Sequence, residues 1–129
     1  MHRIVAALLL VLVVASPVLA AGPYDGVWSV TDSNPTQGVI TYYVSIHQND
    51  GGLQTYGFNF LFTTFHIGGG IHRIGAGTLS GNVANGNVFD QSPTLVGTFH
   101  VTFTDPTHFT GTSTSPTAGT DSLVGERIF

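Results

Sequence analysis

The sequence of 129 residues contains no cysteine and no lysine, and only 8% of its residues are charged. The absence of cysteine excludes disulfides, thiolate zinc sites, iron–sulfur clusters and thioether-linked haem. With three arginines against seven acidic residues, the chain also offers no basic patch to a phosphate backbone. This composition disfavours nucleic acid and anionic lipid as partners, and it leaves the core and the backbone hydrogen bonds to hold the fold.

The N-terminus has one charge, Arg3, followed by an unbroken apolar run from Ile4 to Val14 and the small-residue segment SPVLA. This pattern is typical of a secretory signal peptide cleaved after Ala20 or Ala21. The run is about half of the roughly 20 apolar residues that span a bilayer, so a retained anchor is the weaker interpretation. We expect a signal peptide over residues 1–20 and one domain over residues 21–129, in a secreted or periplasmic protein that meets a membrane only during export.

Helical periodicity is missing beyond this segment, and apolar residues instead recur at every second position. The apolar faces consist of Ile40, Tyr42, Val44 and Ile46, of Tyr56, Phe58, Phe60 and Phe62, and of Leu95, Phe99, Val101 and Phe103. Because successive side chains of a strand point to opposite faces, these segments are predicted to be half-buried β-strands.

Turn signals separate these runs into about eight strands. The turns are DSNPTQ, QNDGG, IGGGI, ANGN, DQSP, DPT and SPTAGT. The strands are expected near residues 26–31, 38–47, 53–66, 71–80, 86–90, 94–104, 108–114 and 121–129. So many sequential strands in a short chain predict an all-β fold, a small antiparallel up-and-down β-barrel, with a β-sandwich as the alternative.

The two ends of the predicted domain carry a family resemblance. Gly26-Val27-Trp28 begins the first strand, and Arg127 lies near the end of the last. This resembles the calycins (lipocalins, fatty-acid-binding proteins and avidins), in which a G-x-W tryptophan packs beneath a final-strand arginine at the closed end of a barrel. The resemblance implies a structural role for Trp28 and Arg127, with a cation–π contact of about 0.5–2 kcal/mol. It implies no particular ligand, since the later lipocalin motifs and the several tryptophans of avidins are missing.

An aromatic stripe is the candidate ligand-binding surface, and it consists of Tyr42, Tyr56, Phe58, Phe60 and Phe62. These rings line a pocket in one interpretation and fill the core in the other, because an eight-stranded barrel is only just wide enough for its own side chains. We expect a non-enzymatic protein that binds a small apolar or aromatic ligand at the barrel mouth, or an extracellular protein partner.

The segment FHIGGGIHRIG is the candidate metal site. A three-glycine tip places His66 opposite His72, with Cβ atoms about 4.5–5.5 Å apart. Two imidazoles are half of a tetrahedral zinc set, so a third ligand has to come from a mouth loop, with Asp32 or Asp90 the nearest. A divalent metal held by His66, His72 and Asp90 is therefore a minor hypothesis beside a solvated hairpin tip without a cofactor. A hydrolase that pairs either histidine with Asp90 is weaker still.

The aspartates at positions 25, 32, 50, 90, 105 and 121 are interpreted mostly as turn residues, where aspartate bonds its own backbone. No serine has the G-x-S-x-G context and no cysteine is present, so catalysis has little support.

Two further function hypotheses follow from the outer faces. A self-associating extracellular structural protein is one alternative, because lysine-free, threonine-rich strand edges are poorly protected against pairing with another chain. An outer-membrane barrel, suggested by the terminal Phe129, ranks last because Arg127 shares the face of that residue.

Overall fold

The computed structural model describes residues 22–48, 57–65 and 72–129. This part of the chain forms strands and no helix, and none of it is a helix long and apolar enough to cross a membrane. The strands are β1 (Gly26–Asn34), β2 (Gly38–Gln48), β3 (Phe60–Phe65), β4 (Ile74–Ser80), β5 (Val83–Phe89), β6 (Leu95–Asp105), β7 (His108–Ser115) and β8 (Gly119–Arg127).

Each strand pairs antiparallel with the next, and β8 pairs with β1 from Trp28–Arg127 to Ser33–Ser122. The predicted all-β, up-and-down barrel of eight strands is therefore confirmed, and the sandwich alternative is not adopted. Closure leaves no unpaired edge among the eight strands, so each inner face turns toward one shared interior.

Several strand boundaries differ from the prediction by a few residues, and those at the starts of β3 and β5 have a clear local cause. β3 begins at Phe60 rather than near residue 53, because Gly57 adopts a positive φ of 81° in a turn, and residues 49–56 lie outside the described part. β5 begins at Val83 rather than at residue 86, because the chain turns at Gly81, with a φ of 60°. The ANGN turn prediction is therefore wrong, since these residues lie inside β5. Gly86 there packs so closely on Gly77 of β4 that a Cβ atom would collide with that backbone.

A β-bulge explains a further difference. The register between β5 and β6 shifts at Val88 and Phe89, so one extra residue of β6 lies opposite them. Leu95 and Val96 therefore both face the barrel interior at the start of β6, where Leu95 is 58% exposed.

The closed end of the barrel is an aromatic cluster around Trp28, which is fully buried. Its ring centroid lies 5.4 Å from that of Phe103 and 5.4 Å from that of Phe109. Its Nε1 donates to the Tyr24 carbonyl oxygen at 3.0 Å, and the Tyr24 ring stacks on Phe103 at 3.8 Å. The buried indole N–H therefore has an acceptor, and its ring packs against other aromatic rings.

Arg127 lies beside Trp28 in the β1–β8 register, as expected, but its guanidinium makes a different contact from the expected cation–π contact. Nε donates to the Phe129 backbone oxygen at 3.0 Å, and Nη1 donates to the Pro23 carbonyl oxygen at 3.2 Å. Arg127 therefore joins the segment before β1 to the segment after β8.

Glycines on the inner faces of β4 and β8 make room for aromatic rings. A Cβ atom at Gly75 would collide with the Phe62 ring, and one at Gly125 would collide with the Phe109 ring. A ring that covers a strand glycine shields its backbone and fills the missing side-chain volume. On the inner face, each of these phenylalanine rings thus packs over a glycine of the neighbouring strand.

We expect Gly125→Ala to lower the free energy of unfolding by about 1–3 kcal/mol, because the buried Phe109 ring has to move away from the added methyl group. Chemical denaturation measures the change, and exposed Ser122→Ala on the same strand is the control, with an effect within about 0.5 kcal/mol. The Gly125→Ala/Phe109→Leu double variant should lose at least about 1 kcal/mol less stability than the sum of the losses of the two single variants, because the smaller leucine leaves room for the added methyl group. Strict additivity would contradict the packing argument.

Candidate ligand cavity and its carboxyl pair

A cavity of about 570 Å³ occupies the end of the barrel opposite Trp28, where the β1–β2 and β7–β8 turns meet. Its deeper wall is apolar and includes Val30, Val44, Ile46, Phe60, Phe62, Phe99, Val101 and Phe109. The closed end is filled by Trp28 and its ring partners, so the free volume lies at the open mouth. The barrel is therefore solid at one end and hollow at the other.

A polar group made by Asp32, Tyr42 and Asp121 interrupts this wall on β1, β2 and β8. Asp32 is only 9% exposed, and the Tyr42 hydroxyl donates to its Oδ2 at 3.1 Å. Asp32 also shares a hydrogen bond with Asp121. Two carboxyl groups and one phenol thus face the cavity together.

Burial is the first cause that raises the pKa of Asp32, to about 6, and the hydrogen bond and the charge of Asp121 raise it further. The Tyr42 hydrogen bond acts in the opposite direction, since it stabilises the carboxylate. The pKa of Tyr42 is raised by its own burial and by the neighbouring Asp32 charge, so its hydroxyl keeps its proton. At neutral pH the two carboxyl groups therefore offer acceptor oxygens to the cavity, and the one donor, the Tyr42 hydroxyl, is already bonded to Asp32.

Asn34 fixes the position of Asp121 and of the mouth. Its Nδ2 donates to Asp121 Oδ1, and to the Ala118 carbonyl oxygen at 2.9 Å. Its Oδ1 accepts from the backbone N–H groups of Thr36 and Gln37, each at 2.9 Å. One buried amide therefore joins the β1–β2 turn to the β7–β8 turn and holds one carboxylate in place.

Within residues 22–48, 57–65 and 72–129, Arg73 is the one cationic side chain that lines the cavity. It directly precedes β4, which lies across the ring from β8. Its backbone N–H donates to Thr64 Oγ1 at 2.7 Å, and its carbonyl oxygen accepts from the Thr64 backbone N–H at 3.0 Å. The guanidinium Nη1 donates to the His72 carbonyl oxygen at 3.2 Å. The cavity thus carries opposite charges on opposite sides.

The predicted aromatic stripe is divided by the structure. Tyr42, Phe60 and Phe62 line the cavity, with Phe60 buried and the other two half-buried. Phe58 precedes β3 and is half-buried, but it is not part of the cavity wall. Tyr56 lies outside the described residues.

The predicted metal ligands are also placed in part. His66 lies outside the described residues, so its pairing with the exposed His72 stays a prediction. Asp90 caps its own turn, where its Oδ1 accepts from the backbone N–H groups of Ser92 at 3.0 Å and Thr94 at 2.9 Å. These bonds hold its pKa below the usual value. No group of three potential metal ligands occurs within residues 22–48, 57–65 and 72–129.

The interpretation of the aspartates as turn residues is wrong for Asp32 and Asp121, which lie in β1 and β8 and face the interior. The period-two pattern contains the missing signal, because residue 32 shares the face of Trp28 and Val30, and residue 121 shares that of Leu123. Proximity to the turn sequences DSNPTQ and SPTAGT concealed it. Asp105 is the last residue of β6 and does bond the turn that follows, because its Oδ1 accepts from the Thr107 backbone N–H at 2.7 Å.

Among solved structures, the chain is similar to a redesigned β-barrel, with 15% sequence identity and a TM-score of 0.66. The likeness covers 83% of this chain and 93% of that chain. No protein-family profile and no curated protein matches the sequence. At this identity the likeness shows the barrel fold alone, and it does not extend to the calycin family.

We expect the free energy of unfolding to fall as the pH rises from about 4 to about 6. In this window the folded protein keeps a proton on Asp32, whose pKa is raised from 3.8 to about 6, whereas the unfolded chain has already lost it. Denaturation of wild type and Asp32→Asn from pH 3.5 to 7.5 measures the effect, and only the wild type should show this slope.

The comparison cancels other titrations, because Asp90 and Asp105, with lowered pKa values, are present in both proteins and act at lower pH. Exposed Glu126→Gln on β8 is the matched control and should keep the wild-type slope. A pH-independent difference between wild type and Asp32→Asn would contradict the assignment.

Proposed function

We propose that the protein is an exported, non-enzymatic binding protein of calycin-like character, which holds one small ligand with an apolar or aromatic body in its barrel. The observation that carries the proposal is the cavity of about 570 Å³ at the open end. This volume lies within the range of about 300–1,000 Å³ that is usual for small-molecule sites. The apolar run at residues 4–14 supports export, and the position of Trp28 beside Arg127 supports the calycin-like character.

The distribution of lining residues suggests how the ligand lies. Phe62, Phe99 and Val101 supply the apolar surface on which its body packs, at about 25 cal/mol for each Å² removed from water. Asp32, Tyr42 and Asp121 face its polar end. A mainly apolar wall with a few convergent polar groups is the usual form of a specific ligand site.

Self-association is the second candidate function. Val39 and Ile74 are exposed, and outward-facing Phe65 stacks on Tyr43 at 5.7 Å. Because the closed ring leaves no unpaired edge in the described strands, assembly has to use this outer face. Sedimentation velocity over a hundredfold concentration range tests it, and a constant monomer would contradict it.

We expect the purified protein to bind the neutral fluorescent probe N-phenyl-1-naphthylamine saturably, with one site per chain. Ser113 lines the cavity from β7, so Ser113→Phe fills part of the volume and should weaken binding by at least about tenfold. Thr112→Phe adds the same ring to the exposed outer face of that strand and should leave affinity unchanged. Equal affinities of the two variants, both shown to be folded by circular dichroism, would contradict binding inside the barrel.

A further inference from the structure

The charged groups of the cavity are segregated. Two carboxyl groups, Asp32 and Asp121, lie on adjacent strands at one side, and the guanidinium of Arg73 lies across the ring. Asp32 is nine-tenths buried and belongs to the cavity wall, unlike a surface carboxylate that water solvates freely. The chemistry of this side of the wall therefore decides which head group the cavity accepts.

Like charges this close repel, so the pair has either to share a proton or to hold a cation. The charge that acts on Asp32 beside its burial is that of Asp121, with no contribution from Arg73. Arg73 instead bonds its own chain at His72 and acts on Asp90 outside the cavity. In the described part of the chain, no arginine forms a salt bridge with Asp32 or Asp121. The carboxyl pair thus has no protein cation of its own there.

We propose that the ligand of this cavity is a primary amine, whose ammonium group lies between Asp32 and Asp121 and whose apolar body lies against Phe62 and Phe99. This inference rests on the proposed function. On binding, the ammonium replaces the shared proton, which leaves to solvent, and its one positive charge offsets the repulsion between the two carboxylates. An ammonium also offers three N–H donors, which matches a site rich in acceptor oxygens.

The test uses three probes with the same carbon skeleton: 4-phenylbutylamine, 4-phenylbutan-1-ol and 4-phenylbutyrate. Isothermal titration calorimetry at pH 7.5 measures their affinities for the wild-type protein. We expect the amine to bind at least about tenfold more tightly than the alcohol, and the acid to bind most weakly. At pH 4.5 the preference for the amine should shrink, because Asp32 is then protonated and the pair carries one negative charge fewer.

Variants assign the preference to the pair. Asp32→Asn and Asp121→Asn should each reduce the ratio of amine to alcohol affinity towards one. If one of the two variants fails to fold, the other still tests the proposal. Glu126→Gln removes one negative charge from the outer face of β8 and should leave the ratio unchanged. Titrations near pH 6 in two buffers of different ionisation enthalpy should detect proton release with the amine and none with the alcohol.

The outcomes separate the two proposals. Equal binding of amine and alcohol, together with saturable N-phenyl-1-naphthylamine binding, would overturn the amine inference and leave the binding function standing. Tightest binding of the acid would also overturn it and would make Arg73 the head-group partner. Failure of the fluorescent probe and of all three compounds to bind would overturn the proposed function itself.

Discussion

A ring of eight paired strands encloses an interior of nearly fixed volume, and the other features of this molecule depend on how that volume is shared. At the closed end, Trp28, Phe60, Phe103 and Phe109 are buried against one another, and Gly125 provides the space that the Phe109 ring occupies. At the open end, several inner-face positions hold small residues, among them Gly97, Ser113 and Ser115. The same closed sheet therefore surrounds a packed core at one end and a cavity at the other.

The cavity end buries a carboxyl group, and this burial lowers the stability of the fold. Burying a carboxyl group such as Asp32 destabilises a fold unless hydrogen bonds compensate for its lost hydration. Here Tyr42 and Asp121 supply these bonds, and Asn34 ties the arrangement to both mouth turns. A polar group that is held in this way remains oriented without a ligand, which reduces the ordering that binding would otherwise require.

The sequence predicts the fold better than it predicts the site, for a physical reason. Strand alternation follows from backbone geometry, so Phe99, Val101 and Phe103 are assigned correctly, whereas the bulge near Val88 brings both Leu95 and Val96 to the cavity wall. The ANGN segment shows the limit of turn chemistry, because Gly86 in it serves close strand approach rather than chain reversal. Aspartate is a residue type that is common in turns, but position 32 lies on the inward-facing side of the period-two pattern. Only the three-dimensional register decides between these two indications.

Likeness of fold to a redesigned barrel separates what the ring requires from what this chain adds. Closure requires strand number, register and small residues at close approaches such as Gly77 and Gly86, and none of these needs a carboxyl group inside. Asp32 and Asp121 are therefore not explained by the fold, since apolar residues at both positions would satisfy the same ring at less desolvation cost. Residues that oppose the stability of a fold but sit in a shaped cavity are best explained by what the cavity holds.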